Sequence, residues 1–245
     1  MPEVVTQLAL PEQSNGVAYT LRRSARRRRT IEISIGELGD VGVAAPMRTP
    51  AYEIDAFVRR KSRWITRAIG DRRTRPRHEQ REIVTGVQAL YLGQSLTLDV
   101  REDGGRGAQL IDNEIVVHVR AGLTNAVREA EARRRLEAWY RREAERVFTE
   151  RVREFAPMVG AKPARVLVKT QKTRWGSCGA DGALRFNWTL IMAPLSVIDY
   201  LAVHELCHLK QNGHGKRFWS LVAKVLPDYV SRRRMLHREG GAYRL

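Results

Sequence analysis

The stretch from Val203 to His214, reading VHELCHLKQNGH, holds the side chains best suited to chemistry. On an α-helix residues i and i+4 share a face, so His204 and His208 can grip one metal ion while Glu205 sits beside them. His214 follows as a third imidazole. Catalytic zinc takes three protein ligands in a tetrahedron, with nitrogens about 2.0–2.1 Å away, and leaves the fourth position to water. It lowers the pKa of that water from about 15.7 to about 7, and a nearby carboxylate can take the proton and pass it to a leaving group. Glu205 is the acid so placed. Asn212-Gly213 reads as a left-handed helix cap that folds the chain back and brings His214 to the metal. Asp228 and Glu239 are the rivals for the third position. Cys207 falls off the two-histidine face and reads as a packing residue, and Cys178 carries no metal pattern by itself.

The elements that must position these groups follow from periodicity. Pro194 starts the metal helix, with Ser196 and Asp199 shaped like a capping box. Lys216–Leu226 reads as a short helix stopped by Pro227, and Asp228 as the cap of a last helix reaching about His237. His237 reads as a helix-terminal residue. Upstream, Thr124–Phe155 is strongly helical, with Leu136, Tyr140, Phe148, Val152 and Phe155 as its apolar stripe. Pro157 and Gly160 end it. Arg165–Thr170 reads as a strand, and Ala180-Asp181-Gly182 as the turn of a hairpin whose outgoing strand carries Leu184 and Phe186.

The first half is rich in strands. Ile31, Ile33 and Ile35 alternate with polar residues, as do Val41, Val43 and Ala45 after a Gly39-Asp40 turn, which predicts a hairpin preceded by a strand at Val17–Arg22. Arg22, Arg23, Arg26, Arg27, Arg28 and Arg29 cluster in the turn between the first two strands. Arginines so close repel one another unless an anion lies between them, so they are candidate phosphate or carboxylate ligands; a solvated basic loop is the plainer reading. Thr49–Ala68 has helical spacing, followed by a polar linker in which His78 has no metal-binding partner. A second β region runs from Gln88 to Val119, with His118 read onto a polar strand face. Its loop Asp103–Gly107 lacks the lysine-serine pair and following helix of a phosphate loop, and reads as a hairpin connection. These elements predict a loose leader over 1–16, an arginine-rich β region over 17–122 and a metal-bearing domain over 123–245.

Composition sets the outer bounds. The chain has 245 residues, 43% of them apolar, enough for a proper core. A formal charge of +17 favours polyanionic partners such as nucleic acid or nucleotides but says nothing about fold. Two cysteines make no disulfide framework, and the N-terminal segment lacks the basic start of a signal peptide. The apolar run Leu190–Leu201 is broken by Pro194 and Asp199 and is too short to span a bilayer. The expectation is a soluble cytoplasmic protein with no membrane partner.

Taken in order, TRWGSC (Thr173–Cys178), FNWTL (Phe186–Leu190), IDYLAVHELCHL (Ile198–Leu209), NGHGKRFW (Asn212–Trp219) and LPDY (Leu226–Tyr229) resemble the YgjP-like metallopeptidase family, related to the SprT and WLM zincin-like proteases. The likeness extends upstream over most of the chain. The family pattern commonly sets Asn next to the third histidine, whereas here Gly213 intervenes. The resemblance implies an α+β fold: a small β-rich N-terminal region, a long helix, and a minimal zincin-like domain with HExxH on a central helix. It implies one Zn2+ per chain on His204, His208 and His214, with Glu205 as general base. Arg174 or Trp175 would stabilise an oxyanion or line the cleft, or else Trp175 and Trp188 are core aromatics. A peptide or protein substrate would dock on the Leu184–Leu190 strand as an added β-strand. Two other functions stay open: a metal-dependent pyrophosphatase acting on uridine triphosphate, and a nucleic-acid-associated protease or basic binding module with structural zinc. Against the last, structural zinc normally takes four protein ligands.

Overall fold

The computed structural model describes residues 17–25, 27–36, 40–73, 82–171 and 174–245. The expected leader 1–16, Arg26 and His78 lie outside these residues. The chain divides into two compact units, Met1–Arg77 and His78–Leu245.

The first unit has three strands, β1 (Thr20–Ser24), β2 (Glu32–Ile35) and β3 (Val41–Pro46), and one helix, α1 (Ala51–Arg73). β2 and β3 form the expected antiparallel hairpin, while β1 pairs in parallel with the other side of β3. The arginine cluster therefore does not sit in one turn: Arg22 and Arg23 belong to β1, and Arg27, Arg28 and Arg29 to the crossing before β2. Val43, Ala45, Ile54, Val58 and Ile65 close a small core between sheet and helix.

The second unit is built on one long helix. Strands β4 (Gln88–Tyr91), β5 (Gln94–Arg101), β6 (Ala108–Ile111) and β7 (Glu114–His118) form a sheet in the order β4-β5-β7-β6. They share a hydrophobic core with α2 (Asn125–Val159), although the sequence groups them with the arginine-rich region. β5 and β7 run parallel, so the glycine-rich loop 103–107 is a crossover and not a hairpin connection. It is pinned by His118, which is buried and not on a polar face: Nδ1 lies 2.7 Å from the Asp103 carboxylate and Nε2 3.3 Å from the Gln109 amide. Those two polar partners are what allow an imidazole to be buried there.

α2 places its expected stripe, Leu136, Tyr140, Phe148, Val152 and Phe155, inside the core. Gly160 ends it in the left-handed conformation (φ 65°), which a Cβ would disfavour. On the sheet side the Tyr140 hydroxyl donates to the Leu90 carbonyl at 2.8 Å. On the other side α2 packs on a second, three-stranded sheet and on α3 (Leu195–His208). That sheet has the order β8-β10-β9, from β8 (Arg165–Lys169), β9 (Gly176–Cys178) and β10 (Ala183–Asn187). β10 is paired on both sides, so it is not the edge the sequence suggested for a docking peptide; β9 and β8 are the edges. A 3-10 helix, Trp188–Met192, leads from β10 to α3, and α4 (Lys216–Val225) and α5 (Tyr229–Glu239) complete the unit.

The expected capping box at the start of α3 is not used. Pro194 takes the cap position with no side-chain cap bond, and Asp199 instead accepts from Arg151 of α2 at 2.6 Å. Arg232 of α5 reaches the same carboxylate at 3.6 Å, so one partly buried acid ties three helices together. Among the described residues no helix is long and apolar enough to cross a membrane.

The Phe148 ring stacks on Phe186 at 4.2 Å, and both are fully buried, joining α2 to the central strand beneath α3. Phe148→Ala is expected to destabilise the second unit by about 3–5 kcal/mol through lost burial and the cavity left behind. Urea unfolding followed by circular dichroism checks this; a loss below about 1 kcal/mol would show that the stack does not hold the two elements together.

Candidate active site

Three imidazoles converge at the end of α3. His204 and His208 are one helical turn apart, and His214 is delivered by the loop before α4. Their Nε2 atoms form a tight triangle: 3.2 Å between His204 and His208, 3.1 Å between His208 and His214, and 3.1 Å between His214 and His204. These are the residues of a possible metal-ligand group among those described. Neither Asn212 nor Gly213 adopts the left-handed cap conformation expected from the sequence. The amides of Lys210 and Gln211 instead bond the Cys207 carbonyl at 3.0 Å each, and the turn closes through ordinary helical geometry. The Gln211 carbonyl then receives the Nδ1–H of His208 at 3.1 Å. That bond leaves the His208 Nε2 lone pair facing the triangle.

The site is walled by rings. Phe218 of α4, itself buried, lies under all three imidazoles, with centroids 5.0 Å from His204, 4.5 Å from His208 and 4.9 Å from His214. Trp219 stacks on His214 at 5.7 Å and on Tyr229 at 5.3 Å, and the Arg233 guanidinium covers its ring at 4.8 Å. Burial, followed by the neighbouring His208, His214 and Arg233, pushes His204 down to about 3. Burial, His208 and Arg233 lower His214 as well. Three imidazole nitrogens at this spacing suit one tetrahedral ion: ligands about 2.0–2.1 Å from zinc stand about 3.3 Å from each other. The residues present therefore fit the metal.

Glu205 points its carboxylate away from water, at 4% exposure, and its Oε2 has no hydrogen-bond partner. Burial raises its pKa to about 8, opposed by the charge of Arg174 and a bond from the Cys178 backbone N–H. This explains the RWGSC segment. β9 runs directly against the carboxylate, and a Cβ on Gly176 would stand 2.6 Å from Glu205 Oε1. Only glycine admits that approach.

The other sequence candidates fall as follows. Arg174 is exposed and acts on Glu205 through its charge. Trp175 is half-buried, edge-on to Tyr243 at 6.2 Å and against Gly240. Trp188 is buried, its Nε1–H donating to Thr170 Oγ1 at 3.2 Å. Asp228 and Glu239 are engaged elsewhere, Asp228 by Arg232 at 2.9 Å and Glu239 by Arg238 at 2.6 Å. His237 is exposed near the end of α5, and Cys207 is buried with a free thiol. In the arginine cluster, Arg23 donates to the carbonyls of Pro46, Met47 and Thr49, and Arg27 pairs with Glu32. Phe218, Trp219, Tyr229, Arg233 and Gly176 were not singled out from the sequence. The apolar spacing in HGKRFW was the available signal for the first two, but nothing in one sequence says that a glycine faces an acid far along the chain.

Three histidines on one face of a helix-loop-helix, with a buried carboxylate in the same turn, define a candidate metallohydrolase centre. The YgjP-like, metallopeptidase domain family matches residues 29–239, and the chain belongs to that family. Among solved structures it is similar to the metallopeptidase zymogen of Pyrococcus abyssi abylysin, at 19% identity and a TM-score of 0.35, over 37% of this chain and 93% of that one. No curated protein matches.

Because its folded pKa is raised from 4.5 to about 8, Glu205 keeps a proton in the folded state that the unfolded chain releases. In metal-stripped protein the favourable contribution is complete below pH 4.5 and fades as pH rises through 8. The glutamine variant, Glu205→Gln, lacks this dependence. Thermal melts of the two stripped proteins should agree near pH 4.5 and diverge with the variant more stable by pH 8; parallel curves would mean the carboxylate is not buried as described.

Proposed function

We propose that this chain is a zinc-dependent metallopeptidase, with one zinc ion held by His204, His208 and His214 and with Glu205 as its general base. The observation that carries this reading is the Nε2 triangle of 3.1–3.2 Å beside a buried, incompletely bonded carboxylate. Zinc bound there would supply Lewis-acid chemistry, acidifying water and polarising a carbonyl. Glu205 then takes the proton of the attacking water and returns it to the departing amine. Its apolar setting suits both steps, since a carboxylate with a raised pKa holds and releases a proton near neutrality. Arg174 offsets the negative charge of Glu205 before the proton arrives. Phe218 keeps water from the rear of the imidazoles, so they compete less with solvent as ligands.

The substrate in this reading is an extended peptide. β9 is an outer strand beside Glu205, and a peptide can pair with its free edge as an added strand. Both cysteines are free, which suits a reducing compartment, and the cytoplasm is the proposed location.

Zinc-loaded protein is tested on unfolded casein and on a nucleoside triphosphate panel that includes uridine triphosphate. Casein should be cleaved, and Glu205→Gln should lower the rate by about 10²- to 10⁴-fold while keeping zinc. Triphosphate hydrolysis without peptide cleavage would replace the peptidase reading, and full activity of the variant would remove Glu205 as base. His214→Ala, assayed by metal analysis against a chelator, should lose zinc by more than the about 10- to 100-fold typical of a lost supporting contact. Undiminished zinc would overturn its place as third ligand.

A further inference from the structure

The two long helices of this protein are both rich in arginine, but their charges are arranged differently. On α2, Arg133, Arg135, Arg141 and Arg146 each pair with a glutamate three or four residues away, as expected of a solvated helix. On α1, the run from Arg59 to Arg67 holds five cations and no acid. Arg59, Arg60, Lys61, Arg63 and Arg67 are all exposed, and none has a carboxylate partner among the described residues. Such a face repels itself unless an outside anion covers it.

Four of the cations, Arg59, Arg60, Arg63 and Arg67, also share one face with aromatic rings, while Lys61 lies near 200° from Arg59. At about 100° per residue, with Arg59 taken as zero, Tyr52 stands near 20°, Arg63 near 40°, Arg67 near 80°, Arg60 near 100° and Trp64 near 140°, with Glu53, near 120°, as an acid at the Tyr52 end of the stripe. The buried Ile54, Val58 and Ile65 lie between about 220° and 260°, on the opposite side. Tyr52 is 70% exposed and Trp64 51%. The stripe runs for about 22 Å along the helix. Arg60 rests on Phe57 at 5.4 Å, which holds it without occupying its hydrogen-bonding edge.

We propose that this face of α1 binds single-stranded nucleic acid, with Arg59, Arg60, Arg63 and Arg67 on the phosphates and Trp64 and Tyr52 stacked on bases. Guanidiniums meet phosphate oxygens with paired hydrogen bonds, and aromatic rings accept any base because every base has a π face. A duplex would engage the arginines but hide its base faces inside the stack, leaving the two exposed rings unused. A surface made only for acidic protein would likewise have no use for rings at these positions. The site differs from the arginine cluster at 22–29, where Arg23 and Arg27 are already engaged by the chain itself.

The test measures fluorescence anisotropy of labelled 20-mers of deoxythymidine and of uridine on the full chain, titrated across salt. A duplex of equal length and polyglutamate serve as competitors. Binding should weaken with salt at a log–log slope of about −3, from four phosphate contacts at about 0.7 each. Arg59→Gln, Arg63→Gln and Arg67→Gln combined should flatten that slope by about 2 and lower affinity at least tenfold at low salt. A control triple in the second unit, Arg134→Gln, Arg153→Gln and Arg234→Gln, removes the same charge and should change affinity less than threefold. Trp64→Ala should cost about 5- to 150-fold with the slope unchanged, the loss of one stacked base. The three arginines and Trp64 changed in the two key variants are surface residues, so melting temperatures should match the parent. The proposal is overturned if the control triple loses as much as the α1 triple. It is equally overturned if duplex or polyglutamate competes as well as the single strands, or if Trp64→Ala binds like the parent. Deoxythymidine and uridine strands binding alike would support recognition of backbone and base faces; binding of one alone would support the same face with sugar discrimination.

Discussion

The burial of the Glu205 carboxylate is the constraint on which the catalytic unit turns. An acid at 4% exposure with one oxygen unpaired is unfavourable in an apolar setting, and its pKa rises to about 8 as a result. A backbone N–H from Cys178 and the nearby Arg174 guanidinium favour the charged form and offset part of that cost. Each of these places a demand on a different part of the chain. β9 must come close enough for the Cys178 amide to reach the acid, which is possible because residue 176 is glycine. His204 and His214 are held towards the neutral form by burial and by the neighbouring cationic groups. Strain at a functional site of this kind is balanced by packing elsewhere.

That packing comes chiefly from α2. Among the described residues it touches both sheets of the second unit, α3 and α4. Its aromatic residues do most of the joining: Trp139 against Tyr91 at 5.0 Å on one side, Phe148 against Phe186 at 4.2 Å on the other. The Arg151, Asp199 and Arg232 contacts then set the start of α3 relative to α2 and α5. A helix anchored at its first turn presents the histidines of its last turn in a defined direction. The aromatic stack of Trp219 on Tyr229 and the cover from Arg233 fix the loop that delivers His214.

The first unit follows a different logic. Its core is small, and among the described residues its helix shows a run of cations without carboxylate partners where α2 shows ion pairs. The difference is already visible in the sequence, where glutamates are interleaved with the arginines of α2 and are missing from the run Arg59 to Arg67. On α2 the acids one turn away pair with the arginines, whereas on α1 Asp55, one turn before Arg59, accepts from Tyr19 instead.

The sequence alone determined the chemistry and the local elements. His204, Glu205 and His208 were legible because i,i+4 spacing is a property of the helix itself, His214 only as the imidazole that follows the helix, and the RWGSC, HGKRFW and LPDY segments carried the family resemblance. Strand and helix positions followed from alternation and from the stripe Leu136 to Phe155. Tertiary structure decided whatever depends on which distant segments become neighbours. Strand order is one such matter: β5 pairs with β7 and β10 lies between two partners, because a strand's pattern reports that one face is buried and not who sits beside it. Asp199 has the sequence of a cap and is an interhelical anchor, since Arg151 offers a stronger partner than a helix N–H. The glycine at 176 is the clearest case. Its need arises from a carboxylate 29 positions later in the chain, and only folding brings the two together.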